Sequence, residues 1–235
     1  MPDAHTKGRS AAASSRTAHP FVRIRFMCVR KADDAGFDRG AEICYNAMLP
    51  FQKGGAGGMR FTDVLWDFNG TLLDDADAGL ACVEELLRRR GLPPLGGIAH
   101  YREVFRFPIR DYYADIGFDF AREDYGALAD EWALLYGELA ADAPVREGVP
   151  EALERLRRAG VRLTVLSASE RGMLCRQLRQ RGVYELFDEV LGLDDFRAQD
   201  KLGIAREWRA RTGAGRTLMV GDTDHDALAA RAIGA

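Results

Sequence analysis

The sequence predicts an α/β protein whose core is a doubly wound parallel sheet carrying an inserted helical unit. From residue 161 onward, short apolar segments alternate with helical patterns, which is typical of parallel strands joined by right-handed crossovers. An earlier apolar segment, residues 64–66, is separated from this alternating part by a long stretch with helical spacing. The chain has 235 residues, 47% of them hydrophobic, so it can bury a substantial core in one or two domains.

The first strand is expected to end at Asp67, just before Asn69, Gly70 and Thr71. A buried strand that stops at a carboxylate presents it at the carboxyl edge of the sheet, where open α/β sheets bind ligands. Gly70 would let backbone N–H groups close around an anion, and Asp67 could then act as a nucleophile. Taken alone, the segment fits a β-hairpin equally well, because Asn-Gly between apolar residues is a strong turn signal.

Helical spacing begins at Asp74 and continues to about residue 90, with an apolar stripe formed by Leu80, Val83, Leu86 and Leu87. Residues 98–141 then place aromatic side chains at helical intervals, and Pro108 and Gly117 break the pattern. We expect a small helical bundle. The aromatic residues are Tyr101, Phe105, Tyr112, Tyr113, Phe118, Tyr125, Trp132 and Tyr136. They are predicted to form its core and not a base-stacking surface, since no basic run interleaves with them.

The remaining elements alternate between strand and helix. Strands are expected at 161–166, 187–191 and 217–221. Residues 144–160 are expected to supply a loop and then a helix, and further helices are expected at 170–182, 204–211 and 224–233. Because the sequence ends after the last of these helices, the fourth strand is predicted to form an exposed edge of the sheet.

Residues 1–58 have a different composition and are predicted to be a disordered N-terminal extension, ending in a glycine-rich linker at 53–58. Met59 directly precedes the first strand and is the expected natural start. The acid-poor opening also resembles an organellar transit peptide, although Asp33 and Asp34 interrupt any long basic amphipathic helix.

Composition excludes several classes of protein. A net charge of −3 and a pI near 5.9 argue against nucleic acid or an anionic membrane as partner. No apolar run approaches the roughly 20 residues that span a bilayer. The four cysteines are widely separated, so neither a zinc site nor a disulfide framework is predicted. A cytoplasmic protein is expected, and its oligomeric state is left open.

Four segments at predicted strand ends together resemble the haloacid dehalogenase superfamily of phosphatases and phosphotransferases. They are residues 67–71, residues 167–169, Lys201 and residues 221–226. The resemblance covers 59–235 and implies a Rossmann-like core of residues 59–79 and 147–235, with a helical cap at 80–146. The cap is similar to that of the phosphoglycolate phosphatase-like branch.

Asp67, Asp222 and Asp226 would converge at adjacent strand ends, which requires either proton uptake or a cation. Mg²⁺ is the expected solution, because hard octahedral ions prefer carboxylate, carbonyl and water oxygens. The resemblance implies Asp67, Asp222 and the Asn69 carbonyl as ligands, with Asp226 supporting them. An alternative calcium loop fits the spacing of Asp222, Asp224 and Asp226 but lacks the required later Gly and Glu.

The remaining charged and polar candidates are either expected to contact the phosphoryl group or given a structural role at a helix start. Lys201 is expected to neutralise charge on the transferring phosphoryl group, and Thr71 and Ser167 to donate hydrogen bonds to it. Ser169 is predicted to cap the next helix. Asp224 and His225 are predicted to form a solvated helix start.

Asn69 departs from the family pattern, in which a second aspartate protonates the leaving group. An amide keeps the hydrogen-bonding shape but does not exchange a proton near neutral pH. General acid–base catalysis is typically worth about 10²- to 10⁴-fold, so a slow enzyme that favours good leaving groups is expected.

The first functional hypothesis is a magnesium-dependent phosphatase acting on a small phosphorylated metabolite, with phosphoglycolate as the family-level guess. Arg106 and Arg110 are the candidates for gripping a substrate carboxylate, although each is also typical of a solvated surface arginine. The alternatives are a catalytically weakened protein that binds a phospholigand or a partner, and carbon–halogen hydrolysis, which needs no magnesium.

Overall fold

A computed structural model describes residues 61–195 and 201–235. The predicted disordered extension at 1–58 and the expected start at Met59 lie outside the described residues. Two of the four cysteines lie in the described residues. Cys82 is buried and Cys175 is half-buried, and both are free thiols.

The core is a four-stranded parallel sheet in the order β3-β2-β1-β4. The strands are β1 (Asp63–Trp66), β2 (Arg162–Glu170), β3 (Glu189–Leu193) and β4 (Thr217–Val220). The order reverses between β1 and β4, so the doubly wound prediction is confirmed. In the described part of the chain, β4 forms one edge of the sheet, as expected.

Eight α-helices surround or extend from this sheet in the described residues. They are α1 (Ala76–Arg89), α2 (Ile98–Val104), α3 (Ile109–Asp115), α4 (Tyr125–Leu139), α5 (Val149–Arg158), α6 (Arg171–Gln180), α7 (Lys201–Thr212) and α8 (Asp224–Ile233). The breaks predicted at Pro108 and Gly117 separate α2, α3 and α4. Helices therefore form wherever the apolar spacing predicts them, with small shifts at their ends.

Strand β1 is fully buried because its side chains alternate between two cores. Val64 and Trp66 pack with residues of α5 and α6, whereas Leu65 packs with residues of α7 and α8, including Trp208. An apolar run buried on both faces is typical of a central parallel strand. β1 is thus a central strand with parallel neighbours on both sides, and not the first strand of the hairpin that Asn69-Gly70 alone also allowed.

The aromatic insertion has its own core, formed by α1, α3 and α4. Val83, Leu86 and Leu87 of α1 pack against Tyr112, Tyr113 and other rings of the insertion. The aromatic residues are thus core, as predicted, although several also line a cavity described below. Leu80 is only partly buried, and Cys82 is the fully buried residue on that side of α1.

The insertion leaves and rejoins the core at one place. Leu73 and Val145 form an isolated antiparallel bridge, flanked by hydrogen bonds from Asp74 N to Pro144 O (3.0 Å) and from Arg146 N to Leu72 O (2.9 Å). The sequence placed the first boundary between residues 79 and 80. Because α1 is continuous from residue 76, the structure puts the crossing at 73–74 instead.

Strand β2 is longer than expected and includes residues 167–169. Ser169 does not cap α6, contrary to the prediction. The cap is Glu170, whose carboxylate accepts hydrogen bonds from Gly172 N (2.5 Å) and Met173 N (2.6 Å). The hydroxyl of Ser169 is turned toward Asn69, where it donates a hydrogen bond.

Among the described residues, no helix is both long and apolar enough to cross a bilayer.

Candidate active site

Three carboxylates meet at the carboxyl edge of the sheet, where the strand order reverses. Asp67 directly follows β1, Asp222 follows the neighbouring β4, and Asp226 lies in the first turn of α8. One oxygen from each lies within 4.8 Å of the others. The predicted convergence of the three aspartates is therefore observed. It lies at the point where open α/β sheets bind their ligands.

Two glycines allow this close approach. A Cβ at Gly70 would lie 2.2 Å from Asp222 Oδ2, and a Cβ at Gly221 would lie 2.3 Å from Asp226 Cγ. Gly70 also has φ +72°, a conformation that side chains with a Cβ rarely adopt. Because neither residue has a side chain, the backbone at Gly70 and Gly221 can lie directly against the carboxylates.

Lys201 joins the cluster from the start of α7. Its Nζ lies 2.5 Å from Asp67 Oδ1 and 2.5 Å from Asp226 Oδ1, and the residue is only 2% exposed. Burial alone would lower the pKa of Lys201, but the two carboxylates outweigh it and raise the pKa above its ordinary value. Lys201 is therefore an ammonium ion that fixes one oxygen of each partner.

The second oxygen of Asp226 is held by the start of α8. Asp226 Oδ2 accepts hydrogen bonds from Thr223 N (3.0 Å) and Thr223 Oγ1 (2.7 Å), and together they form a capping box. Asp226 is thus fully oriented, with Oδ1 toward Lys201 and Oδ2 toward the helix cap.

The cluster carries more negative charge than its surroundings compensate. Burial, and then repulsion from Asp226, raises the pKa of Asp67 to about 7 in spite of Lys201. Burial, and then Asp67 and Asp226, raises the pKa of Asp222 well above its ordinary value. Three carboxylates and one ammonium give a formal charge of −2 when ionised. A hard divalent cation with oxygen ligands fits both this charge and this donor set.

Asn69 is held by three neighbours, none of which the sequence analysis predicted as its partner. Its Nδ2 donates to Asp75 Oδ2 (2.7 Å) and to Tyr136 Oη (2.6 Å), and its Oδ1 accepts from Ser169 Oγ (2.8 Å). Asp75 Oδ2 also accepts from Tyr136 Oη at 2.5 Å, and Asp75 Oδ1 from Gly70 N at 2.7 Å. The network connects the loop after β1 with α4 of the insertion.

Thr71 and Ser167 lie near the cluster in different settings. Thr71 Oγ1 donates to Asp222 Oδ1 (3.0 Å), and the residue is absent from the wall of the cavity above the cluster. Ser167 does line that cavity, and its Oγ accepts from Ser169 N (3.1 Å). Of the two predicted hydroxyl donors, Ser167 therefore has the more accessible position, and Thr71 orients Asp222.

The structure does not bring Arg106 and Arg110 to the cavity. Arg106 Nε pairs with Asp115 Oδ2 at 2.7 Å, and the guanidinium of Arg110 lies 5.2 Å from the centre of the Phe120 ring. Acidic and aromatic neighbours within the insertion thus hold both side chains away from the carboxylates.

Two other arginines, Arg102 and Arg146, line the cavity. Arg146 Nη2 donates to Gly70 O (2.7 Å) and pairs with Asp74 Oδ1 (3.1 Å). The Arg102 side chain is half-buried and makes no ion pair or hydrogen bond with the described residues.

His225 differs from its prediction, whereas Asp224 is exposed as expected. His225 is 8% exposed and stacks on Phe107 with the ring centres 4.1 Å apart. Burial, and then Lys201, lowers the pKa of His225. Phe107 belongs to the link between α2 and α3, so the insertion covers the start of α8 and removes His225 from solvent.

A cavity of about 200 Å³ lies between the carboxylate cluster and the insertion. Its wall includes Asp67, Lys201 and Asp222 on the core side and a series of aromatic rings on the other. A Rossmann-like sheet with a carboxylate-lined site at its switch point, covered by a helical insertion, is the architecture of a capped α/β hydrolase.

The chain belongs to the family described as haloacid dehalogenase-like hydrolases, which matches residues 64–235. It is 32% identical over 192 residues to a phosphoglycolate phosphatase from Xanthomonas campestris pv. campestris, an alignment that covers 75% of this chain and 81% of that protein. A phosphoglycolate phosphatase from Vibrio vulnificus is 28% identical over 190 residues, covering 73% and 79%.

Solved structures share the fold. A haloacid dehalogenase-like family protein from Streptococcus pneumoniae superimposes with a TM-score of 0.63 at 16% identity, covering 74% of this chain and 81% of that one. The resemblance stated from the sequence motifs is therefore confirmed at the level of family and fold.

Proposed function

We propose that this chain is a magnesium-dependent phosphatase of the cytoplasm that hydrolyses a small phosphate ester through an aspartyl-phosphate on Asp67. The observation that carries the proposal is the convergence of Asp67, Asp222 and Asp226 around Lys201. The names of the two relatives described above, both phosphoglycolate phosphatases, support the same type of reaction.

In this proposal Asp67, Asp222 and the Asn69 carbonyl would hold Mg²⁺, and Asp226 would support them. When bound, the ion supplies positive charge close to the phosphate oxygens. The formal charge of −2 and the oxygen-only donor set of the cluster support this assignment.

Asp67 acts as the nucleophile. Its carboxylate attacks phosphorus in line, the bond between phosphorus and the leaving oxygen breaks, and the phosphoryl group passes to Asp67. Lys201 holds Asp67 Oδ1 at 2.5 Å, which orients the attacking group and favours its ionised form against the effects of burial and Asp226. Water then hydrolyses the acyl phosphate, which restores the carboxylate and releases inorganic phosphate.

Asn69 sets the limit on this chemistry. Its amide donates to Asp75 and Tyr136 and accepts from Ser169, so it can position groups but cannot deliver a proton to a leaving alkoxide. Esters whose leaving group departs readily as an anion should therefore react faster than simple alkyl phosphates of equal fit.

Phosphate release from 4-nitrophenyl phosphate tests the proposal. Turnover should disappear in excess chelator, return with Mg²⁺, and be inhibited by vanadate. Asp67→Asn should abolish it, whereas Arg88→Ala, a change at an exposed pair with Glu85, should leave it unchanged. Undiminished release by the Asp67 variant, or no release from any phosphate ester with Mg²⁺ present, would show that the proposal is wrong.

A second function, binding a phospholigand without turnover, is favoured by the complete engagement of the Asn69 side chain. It predicts that a phosphate ester raises the melting temperature with Mg²⁺ present while no phosphate is released. Carbon–halogen hydrolysis has no such support, since the clustered carboxylates at 222 and 226 suit a metal-dependent site.

A further inference from the structure

We infer, on the basis of the proposed function, that the phosphate ester carries an aromatic or similarly compact apolar group that is buried under the insertion. The cavity that begins at Asp67 extends among the rings of Tyr101, Phe105, Tyr112 and Trp132. This assignment differs from the small anionic acid that the relatives' name suggests.

The size of the cavity suits a single ring. Its volume is about 200 Å³, and an apolar cavity of about 150 Å³ is enough to bind benzene. Two small residues also line the cavity, Gly79 from α1 and Ala129 from α4. A phosphoglycolate molecule would leave much of this apolar wall without contacts.

The aromatic wall is already assembled. Tyr101 and Tyr112 meet edge to face with centres 6.4 Å apart, and Trp132 stacks on Tyr136 at 4.6 Å and 12°. Rings fixed in this way lose little freedom when a flat ligand binds, and such contacts favour aromatic groups.

One polar group in this wall lacks a partner. Tyr112 is 1% exposed, and its Oη makes no hydrogen bond with the described residues. A buried hydroxyl without a partner is uncommon in folded proteins. A polar substituent on a bound ring, or a water carried in with it, would satisfy this donor.

The charges near the cavity point the same way. A carboxylate-bearing substrate is best held by bidentate arginines, yet Arg106 and Arg110 face other partners and Arg146 is tied to Gly70 and Asp74. Arg102 and the unpartnered Nε of Arg146 remain available on the wall, against a series of aromatic rings.

The decisive measurement compares benzyl phosphate with ethyl phosphate and phosphoglycolate on the whole chain with Mg²⁺. All three leave as alcohols, so leaving-group ability contributes little and binding of the ring is isolated. Burying the ring should raise kcat/KM for benzyl phosphate about 10- to 100-fold above that for ethyl phosphate. If ethyl phosphate or phosphoglycolate is used equally well or better, the inference is wrong while the phosphatase assignment stands.

A matched pair of variants on α4 locates the effect. Ala129→Leu fills part of the cavity. It should lower the ratio of benzyl to ethyl phosphate kcat/KM by at least about fivefold, because part of the apolar contact with the ring is lost. Leu134→Ala, at a side chain that is 74% exposed on the same helix, should leave the ratio unchanged. An unchanged ratio in a folded Ala129 variant would contradict the inference.

Binding without turnover separates the two proposals. With Mg²⁺, benzylphosphonate should raise the melting temperature of the native protein more than methylphosphonate at equal concentration. Equal shifts, or no shift with either, would overturn the inference. A clear benzyl preference in a protein that hydrolyses none of the esters would uphold the ligand class and refute the phosphatase.

Discussion

Asn69 Nδ2 donates a hydrogen bond to Asp75 Oδ2 at 2.7 Å, so a carboxylate lies directly beside the amide at the position where the family resemblance implies a second aspartate. Asp75 is buried and also accepts from Gly70 N and Tyr136 Oη. The loop after β1 is therefore held in one arrangement by Asp75, directly before α1, and by Tyr136 of α4.

Asn69→Asp should accelerate hydrolysis of ethyl phosphate about 10²-fold, because a carboxyl group can exchange the proton that an amide cannot. The rate with 4-nitrophenyl phosphate should change much less. The new carboxylate would face that of Asp75, so adding Asp75→Asn should relieve the repulsion and increase the gain further. Steady-state rates on both esters check this, and an unchanged or lower ethyl phosphate rate in both variants would contradict it.

Tyr136→Phe should destabilise the protein by about 1–3 kcal/mol, because the buried oxygens of Asp75 and the amide of Asn69 lose a hydrogen-bond partner. Tyr112→Phe is the matched control. It removes a buried hydroxyl that has no partner within the described residues, so stability should stay the same or rise. Urea unfolding of both variants measures the difference, and equal losses would show that the Tyr136 hydroxyl adds nothing.

Gly70→Ala should abolish activity, because the new Cβ would lie 2.2 Å from Asp222 Oδ2 and displace that carboxylate. Gly91→Ala introduces the same backbone strain at φ +65°, but no atom lies within 4 Å of its Cβ. Both variants should lose about 1 kcal/mol of stability to strain. Only the first should lose phosphate release, and a matching loss at Gly91 would assign the effect to strain alone.

Mg²⁺ should raise the melting temperature of the native protein, because it binds a folded cluster whose carboxylates repel one another. Asp222→Asn removes one ligand and one charge. This variant should be as stable as the native protein or more so without metal, and should gain much less from Mg²⁺. Differential scanning fluorimetry across a Mg²⁺ titration checks this, and equal shifts in both proteins would place the metal elsewhere.

The carboxylate cluster could be predicted from the sequence because strand ends determine it. Asp67 and Asp222 follow apolar runs, and parallel neighbours bring their carboxyl ends together whatever the details of packing. Helix α8 was likewise predicted with the bounds that the structure shows, since its apolar spacing and capping residues are local features.

The contacts between the insertion and the core could not be predicted in the same way. Tyr136 is 61 residues from Asp75, and their hydrogen bond depends on the angle at which α4 docks, which no local pattern encodes. Arg106 was misplaced because its choice between substrate and Asp115 is decided by geometry within the insertion. The acids at 74 and 75, which lie close to Asn69 in the sequence, are the local feature that could have indicated the hydrogen bonds of Asn69.

The bridge between Leu73 and Val145 makes the two ends of the insertion immediate neighbours. A segment that departs and returns at one point can be lengthened, shortened or exchanged during evolution with little penalty to the sheet, since loop-closure entropy grows slowly with length. The strand ends that carry the carboxylates and the insertion that covers them can therefore change independently of each other.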